Sequence, residues 1–427
     1  MKKANLVLAA ALAAAGVATV AAVMLTPVTS IAATEQPKVS AKMLKPLKAA
    51  QEAIQAKNWE AALAAIAEAQ AVEPKSPYDA YMVEELAWYP KLQVKDYAGA
   101  AKSLEQAVAS GFVAEADLGQ RYKALAQLNY QLKDYAKAAE FGGKSLALSP
   151  QSQDTAALVA QSKYMQKDYA GARSVVDQTA AVVAKPDEQL LMIGLRSSVD
   201  MDDRAGTRSA IESLVRHYPA PKYWEDLLNN QLYETKTDRD LRALYRLMFD
   251  TKTMNKAEEY SEAAAMLLTG GFPAEAKRVL DQGIASGVFT GESLTRAQSD
   301  LARARSGADA DAKDLPGAEK ALAAAKTGNE MVATGKLYFS AGEYDKAADA
   351  IRKGLARGGV TDVDDSNTLL GIAEVRAGKG QGSVAAFDAV NDPKLKQIAG
   401  LWKLYVETTS GASAPVTPAV PAPAPGG

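Results

Sequence analysis

The sequence predicts an all-α fold of stacked helix pairs, and three observations carry that expectation. A short phrase returns along the chain at positions 57, 95, 133, 167 and 201, in steps of 38, 38, 34 and 34 residues. Hydrophobic residues make up 48% of the 427 residues, with alanine foremost among them. That composition favours helix, because alanine has no side-chain entropy to lose. Where the phrase fades, between Lys222 and Asp250, Trp224, Leu227 and Leu228 and then Leu241, Leu244 and Leu247 keep helical spacing, so two helices are expected there too.

Residues 1–32 read as an expected export signal. Lys2 and Lys3 form a positive start, and Leu6 to Leu25 is an uninterrupted apolar run that Thr26 and Pro27 break. Ser30-Ile31-Ala32 then puts small residues at the two positions a signal peptidase reads, so cleavage is expected after Ala32. The alternative is an uncleaved anchor, since about twenty apolar residues can span a bilayer. Both readings put the remaining chain outside the cytoplasm, in the periplasm or secreted, or held at the inner membrane.

The repeated phrase follows. Lys57-Asn58-Trp59-Glu60-Ala61-Ala62 is echoed by Lys95-Asp96-Tyr97-Ala98-Gly99-Ala100, Lys133-Asp134-Tyr135-Ala136-Lys137-Ala138 and Lys167-Asp168-Tyr169-Ala170-Gly171-Ala172. A degraded copy stands at Met201-Asp202-Asp203, and later ones begin at Gly271 and Gly342. Asp134 and Asp168 are placed to cap a helix by accepting a backbone N–H. Ala138, Ala172 and Ala347 sit where two helices cross closely and only a small side chain fits. Each pair has an apolar face it cannot bury alone, so neighbours must stack on it.

With its 34-residue step, this pattern resembles the tetratricopeptide repeat family, a helix–turn–helix unit. Tyr122, Leu125 and Ala126 take the first-helix slots of one unit, and Tyr135, Ala138, Leu146 and Pro150 follow at second-helix spacing. Gly335, Tyr338, Tyr344, Ala347, Ile351 and Leu355 match in another, with Gly194 and Gly371 in the slot of Gly335. The resemblance implies a right-handed superhelical solenoid whose first helices line a concave groove for extended or helical peptides. Its groove-facing slots fall on Tyr89, Lys123, Gln127, Tyr130, Gln161, Tyr164, Gln231, Lys336 and Phe339. It implies a non-catalytic scaffold for protein or peptide partners. The basic clamp for a terminal carboxylate is not reproduced, because Lys123 lacks its companions.

Departures from the pattern give further expectations. Pro90 should end or kink its helix. Ser306 to Asp314 reads as a loop between a helix ending near Arg305 and one starting near Pro316, which divides a longer array (40–305) from a shorter one (316–408). Asp392-Pro393 opens a last helix whose Leu395, Ile398, Leu401, Trp402 and Tyr405 form one stripe, suited to capping the stack. Residues 409–427 carry Pro415, Pro418, Pro421, Pro423 and Pro425 and are expected to be a disordered or polyproline-like tail.

Chemistry is sparse. The chain has no Cys, which removes thiolate nucleophiles, zinc-thiolate sites and disulfides. The one His, His217, excludes sites with two His ligands and is expected to sit at a helix end. Glu292-Ser293 matches only the first two residues of a lytic transglycosylase motif. Asp362, Asp364 and Asp365 lack calcium-loop spacing and should charge a helix start. The formal charge of −2 speaks against a general nucleic-acid binder. No catalytic residue, metal or cofactor is expected. The remaining alternatives are a helical carbohydrate-active enzyme and a membrane-anchored assembly factor.

Overall fold

The turn between paired helices is built the same way each time. In a computed structural model, which describes residues 37–409, Lys57, Lys95, Lys133 and Lys167 adopt left-handed backbone conformations with φ of 56–65°. The Asn or Asp that follows caps the next helix. Asp96 Oδ1 accepts from Gly99 N at 2.9 Å, Asp134 from Lys137 N at 3.1 Å and Asp168 from Gly171 N at 2.9 Å. The degraded copy works too: Asp202 takes φ 53° and Asp203 accepts from Gly206 N at 2.9 Å. Left-handed geometry in a lysine is costly, and the cap and the helix behind it hold it in place.

These turns join five pairs: α1 (Ala41–Gln55) to α2 (Trp59–Ala71), α3 (Pro77–Gln93) to α4 (Tyr97–Ala109), α5 (Glu115–Gln131) to α6 (Tyr135–Leu148), α7 (Gln153–Met165) to α8 (Tyr169–Ala180), and α9 (Glu188–Asp200) to α10 (Arg204–His217). The fading stretch forms the expected two helices, α11 (Pro221–Glu234) and α12 (Asp238–Asp250), with Trp224, Leu227, Leu228, Leu244 and Leu247 buried. Then come α13 (Ala257–Thr269), α14 (Pro273–Ala285), α15 (Gly291–Asp314), a 3-10 turn (Leu315–Gly317) and α16 (Ala318–Ala324). The chain continues with α17 (Gly328–Ala341), α18 (Tyr344–Arg357), α19 (Val363–Arg376), α20 (Gly380–Asp388) and α21 (Pro393–Thr409). No strand occurs among the described residues. The result is an all-α superhelical solenoid of packed helix pairs. The expected export signal and residues 410–427 of the expected tail lie outside the described residues.

Close helix crossings sit where the pattern put them. Ala138, Ala172 and Ala347 are fully buried. A Cβ added at Gly335 would lie 2.6 Å from Ile351 Cγ1, and one at Gly371 would lie 2.5 Å from the ring of Phe387.

Two local expectations are corrected. Pro90 does not end α3, which runs on to Gln93. Pro90 sits close to the helix end, and its carbonyl still accepts from Val94 N at 3.1 Å. Ser306–Asp314 is not a loop but the last part of α15, the longest helix. Ala308, Ala310 and Ala312 support helix there. Gly307 lets the helix pass Pro273, where a Cβ would come within 2.7 Å.

The second half closes on itself. α1 to α9 stack neighbour on neighbour, but α21 returns to lie against α10 and α12, and α19 lies against α12. The apolar stripe of α21 is the seal: Leu395, Ile398, Leu401 and Trp402 are buried, and Trp402 Nε1 donates to Ala243 O on α12 at 3.1 Å. A buried ionic group ties α12, α14 and α19 together. Arg246 Nη2 donates to Glu275 Oε2 at 2.7 Å, Arg376 Nη1 to Glu275 Oε1 at 2.6 Å, and Arg376 Nε to Asp250 Oδ2 at 3.0 Å. Nearer the helix starts, Arg242 pairs with Asp365 at 3.3 Å. One continuous apolar core runs from α7 to α21, with smaller cores under α1–α3 and α4–α7.

Candidate functional site

The first helix of each unit (α3, α5, α7, α9, α11) should form the inner face, and its polar side chains bind the next unit along. Glu85 on α3 pairs with Arg121 on α5, and Lys123 on α5 with Asp154 on α7. Tyr164 on α7 donates to Asp200 on α9, and Lys222 on α11 pairs with Glu188 on α9 at 3.0 Å. These contacts repeat at one-unit separation and tie the stack together. Burial, together with the nearby Glu85 carboxylate, pushes the Tyr81 phenol up to about 12. Burial and the hydrogen bond to Asp200 push Tyr164 up to about 12 as well. Burial would raise Asp154, but hydrogen bonds from Lys123 and Ser152 hold it below the usual carboxylate range.

The nine residues expected to face the groove divide accordingly. Phe339 is fully buried and is core, stacked edge-on to Phe272 at 5.8 Å with the Arg246 guanidinium 4.8 Å from its ring. Gln231 is also buried, accepting from Arg208 Nη1 at 2.7 Å. Both are corrections. The closure of the second half covers Phe339 from a direction that one repeat unit cannot show, and the amide of Gln231 is used within the fold. Lys336 reaches Asp365 at 3.6 Å. Tyr89 packs edge-on to Trp59, and Tyr130 and Tyr164 clasp Tyr135 and Tyr169 across their own turns at 5.4 and 5.2 Å. Tyr89, Tyr130 and Tyr164, with Lys123, Gln127 and Gln161, remain half-buried on the first helices, with Tyr135 and Tyr169 opening the helices behind them.

Sequence reasoning missed a different feature of the same helices. Their C-terminal ends carry Val94, Leu132, Met165, Val199 and Tyr233, each at least 40% exposed. Each stands at the end of its helix or just past it. The available signal was position: Val94 and Leu132 each directly precede a turn lysine. A cleft of about 540 Å³ opens between α10, α11 and α21, with Val199 and Tyr233 among its lining residues.

The residues singled out for chemistry are structural. His217 ends α10, where burial, reinforced by the charges of Arg216 and Lys185, lowers its pKa. The expected cationic capping role is therefore weakened. Glu292 is exposed at the start of α15 and paired with Arg296, while the Ser293 hydroxyl accepts from Thr290 N at 3.0 Å. Asp362 caps α19 by accepting from Asp365 N at 2.9 Å. Asp364 accepts from Asn391 N and Asp392 N, each at 2.9 Å. No cluster able to hold a metal is found among the described residues, and no helix there is long and apolar enough to cross a membrane.

No family model and no curated protein matches the chain. Among solved structures, it is similar to a structure of Naa15/Naa10 bound to HypK-THB, at 13% identity and a TM-score of 0.38, covering 86% of this chain and 66% of that one. It thus spans about two thirds of that protein's length. A tetratricopeptide repeat protein from Parabacteroides merdae aligns at 13% identity and a TM-score of 0.29, covering 78% and 99% of the two chains. PilF of Pseudomonas aeruginosa aligns at 20% and 0.26, covering 44% and 97%. These likenesses are distant, and the fold assignment rests on the chain's own geometry. With capped turns in a 34- to 38-residue rhythm and small residues at several helix crossings, the described residues form an all-α solenoid of packed helix pairs that resembles tetratricopeptide arrays.

Proposed function

We propose that the protein is an exported, non-catalytic scaffold that binds protein partners along the edge and inner face of its first helices. One observation supports this most. Five of the exposed large apolar side chains, Val94, Leu132, Met165, Val199 and Tyr233, recur at matching ends of consecutive first helices. Scattered apolar residues on a surface need no explanation, whereas a contiguous row marks an interaction surface. The half-buried Tyr89, Tyr130 and Tyr164 on the same helices offer flat apolar faces beside it. The apolar run at residues 6–25 supports export, to the periplasm or beyond it.

The test is quantitative crosslinking and capture from an envelope fraction, comparing the native chain with a Leu132→Asp, Met165→Asp variant. Leu132 lies in a surface turn and Met165 is the exposed last residue of α7, so the variant should melt close to the native protein. Loss of specific partners is the expected result. An unchanged partner set removes this edge as the binding surface.

A further inference from the structure

We propose that the outer face of α1 is a contact surface for an anionic lipid bilayer. This goes beyond the scaffold reading, which leaves α1 unused, and does not depend on it.

α1 divides cleanly into two faces. Met43, Pro46, Leu47, Ala50 and Ile54 are buried, on the side that packs against α2 and α3. On the other side Lys42, Lys45 and Lys48 follow one another at three-residue steps, so they share one face, and all three are exposed. Lys38, just before the helix, is exposed as well. Residues 37–55 hold these four lysines and a single carboxylate, Glu52. Lys48 stands 3.8 Å from Glu52, and the other three lysines form no ion pair among the described residues.

The neighbouring helices do not share this charge. α2 carries Glu60 and Glu68 and no basic residue, and α3 carries Asp79, Glu84 and Glu85 against Lys91 alone. Nor does the charge serve the helix itself. A helix is stabilised by carboxylates in its first turn and cations in its last. α1 has neither, and places Lys42 in its first turn instead. The lysines are therefore set against the helix dipole, where only an external anion rewards them.

Leu44 decides which anion. It is 57% exposed among the lysines, one turn before Lys48. A soluble polyanion gains nothing from that side chain. A bilayer does: Leu44 enters the boundary between headgroups and acyl chains, the lysine stems lie along it, and their ammonium groups stay at the phosphates. The opposite face is already used in the core, so α1 rests on the bilayer and does not cross it. Each lysine near an anionic surface strengthens such attachment about fivefold, and salt weakens it.

The native chain has no cysteine, so a single label reports the contact. An environment-sensitive fluorophore is attached in the full chain at Ala49→Cys, an exposed position one turn after Lys45. The expected result is a blue shift with phosphatidylglycerol vesicles that added salt reverses and phosphatidylcholine vesicles do not produce. The same label at Val363→Cys, exposed at the start of α19, should not shift. Lys42→Gln, Lys45→Gln and Lys48→Gln together should raise the lipid concentration giving half the shift by about a hundredfold. Leu44→Ser should raise it severalfold. All four side chains are exposed, so these variants should melt like the native chain. No shift with phosphatidylglycerol, or one that the lysine substitutions leave unchanged, overturns the proposal. So does an equal shift with phosphatidylcholine, since the apolar run at residues 6–25 would then bring α1 to the bilayer without its charge. An equal shift at Val363→Cys means general adsorption and also overturns it. An equal shift with polyglutamate in place of vesicles, or indifference to Leu44→Ser, overturns the assignment to lipid. Partner capture is a separate readout, so failure here leaves the scaffold reading standing.

Discussion

Arg376, the last residue of α19, holds Asp250, the last residue of α12, with hydrogen bonds of 3.0 and 3.1 Å across 126 residues of sequence. The same guanidinium reaches Glu275 on α14, so one side chain joins three helices. Arg376→Met should therefore leave Glu275 with Arg246 alone and take from Asp250 the cation that holds it, at a cost of about 3–5 kcal/mol. Arg216→Ala removes a pair whose side chains are both about half exposed, and should cost less than about 1 kcal/mol. Urea midpoints compare the two, and equal shifts would mean that burial does not decide the strength of these pairs.

Glu275 makes the second half sensitive to acid. Burial alone would raise its pKa, but Arg246 and Arg376 reverse that and hold it at about 2, below its ordinary 4.5. A carboxylate whose folded pKa is depressed contributes stability above its unfolded pKa, and loses it as pH falls through the folded value. The loss should thus fall between pH 4.5 and about 2. In melting curves taken across that window, the Glu275→Gln variant should start less stable than the native chain and lose less.

Gly142 and Gly143, neighbours on α6, should respond oppositely to alanine. A Cβ at Gly142 would lie 2.4 Å from Val159 Cγ2, on a β-branched side chain with little freedom to move, while one at Gly143 meets nothing within 4 Å. Gly142→Ala should cost about 1–3 kcal/mol by overpacking. Gly143→Ala should stabilise by up to about 1 kcal/mol through helix propensity. Thermal melts of the two variants settle the contrast, and the same sign for both would refute the crossing geometry.

Lys133 holds φ at 62° on an exposed turn. Lys133→Gly should relieve the left-handed strain and raise stability by up to about 1 kcal/mol, offset in part by the extra freedom of glycine in the unfolded chain. Lys133→Val should lower stability, because a branched Cβ tolerates that region worst. Denaturant titrations of the pair check the order.

The local architecture was legible because it repeats. Asp134 and Asp168 are caps by identity and position, and Ala138 and Ala172 are small where two helices meet. These features need only one unit and its neighbour. What depends on distant residues was not legible. Phe339 matches a groove slot within its unit, and only the approach of Arg246, Arg376 and Phe272 makes it core. Gly307 reads as a loop residue in sequence, whereas in the structure it is helical and gives room to Pro273.

The return of α21 to α10 and α12 also orders events during synthesis. Helices α1 to α9 can form and stack as they leave the ribosome, since each finds its partner within one or two units. The surface of α12 around Ala243 has no such partner until Trp402 has been made, 159 residues later. For that interval a nascent chain carries an uncovered apolar seat and a half-neutralised ionic group. The second half should therefore acquire its native packing only in the last moments of translation or after release, and it is the part most dependent on protection until then.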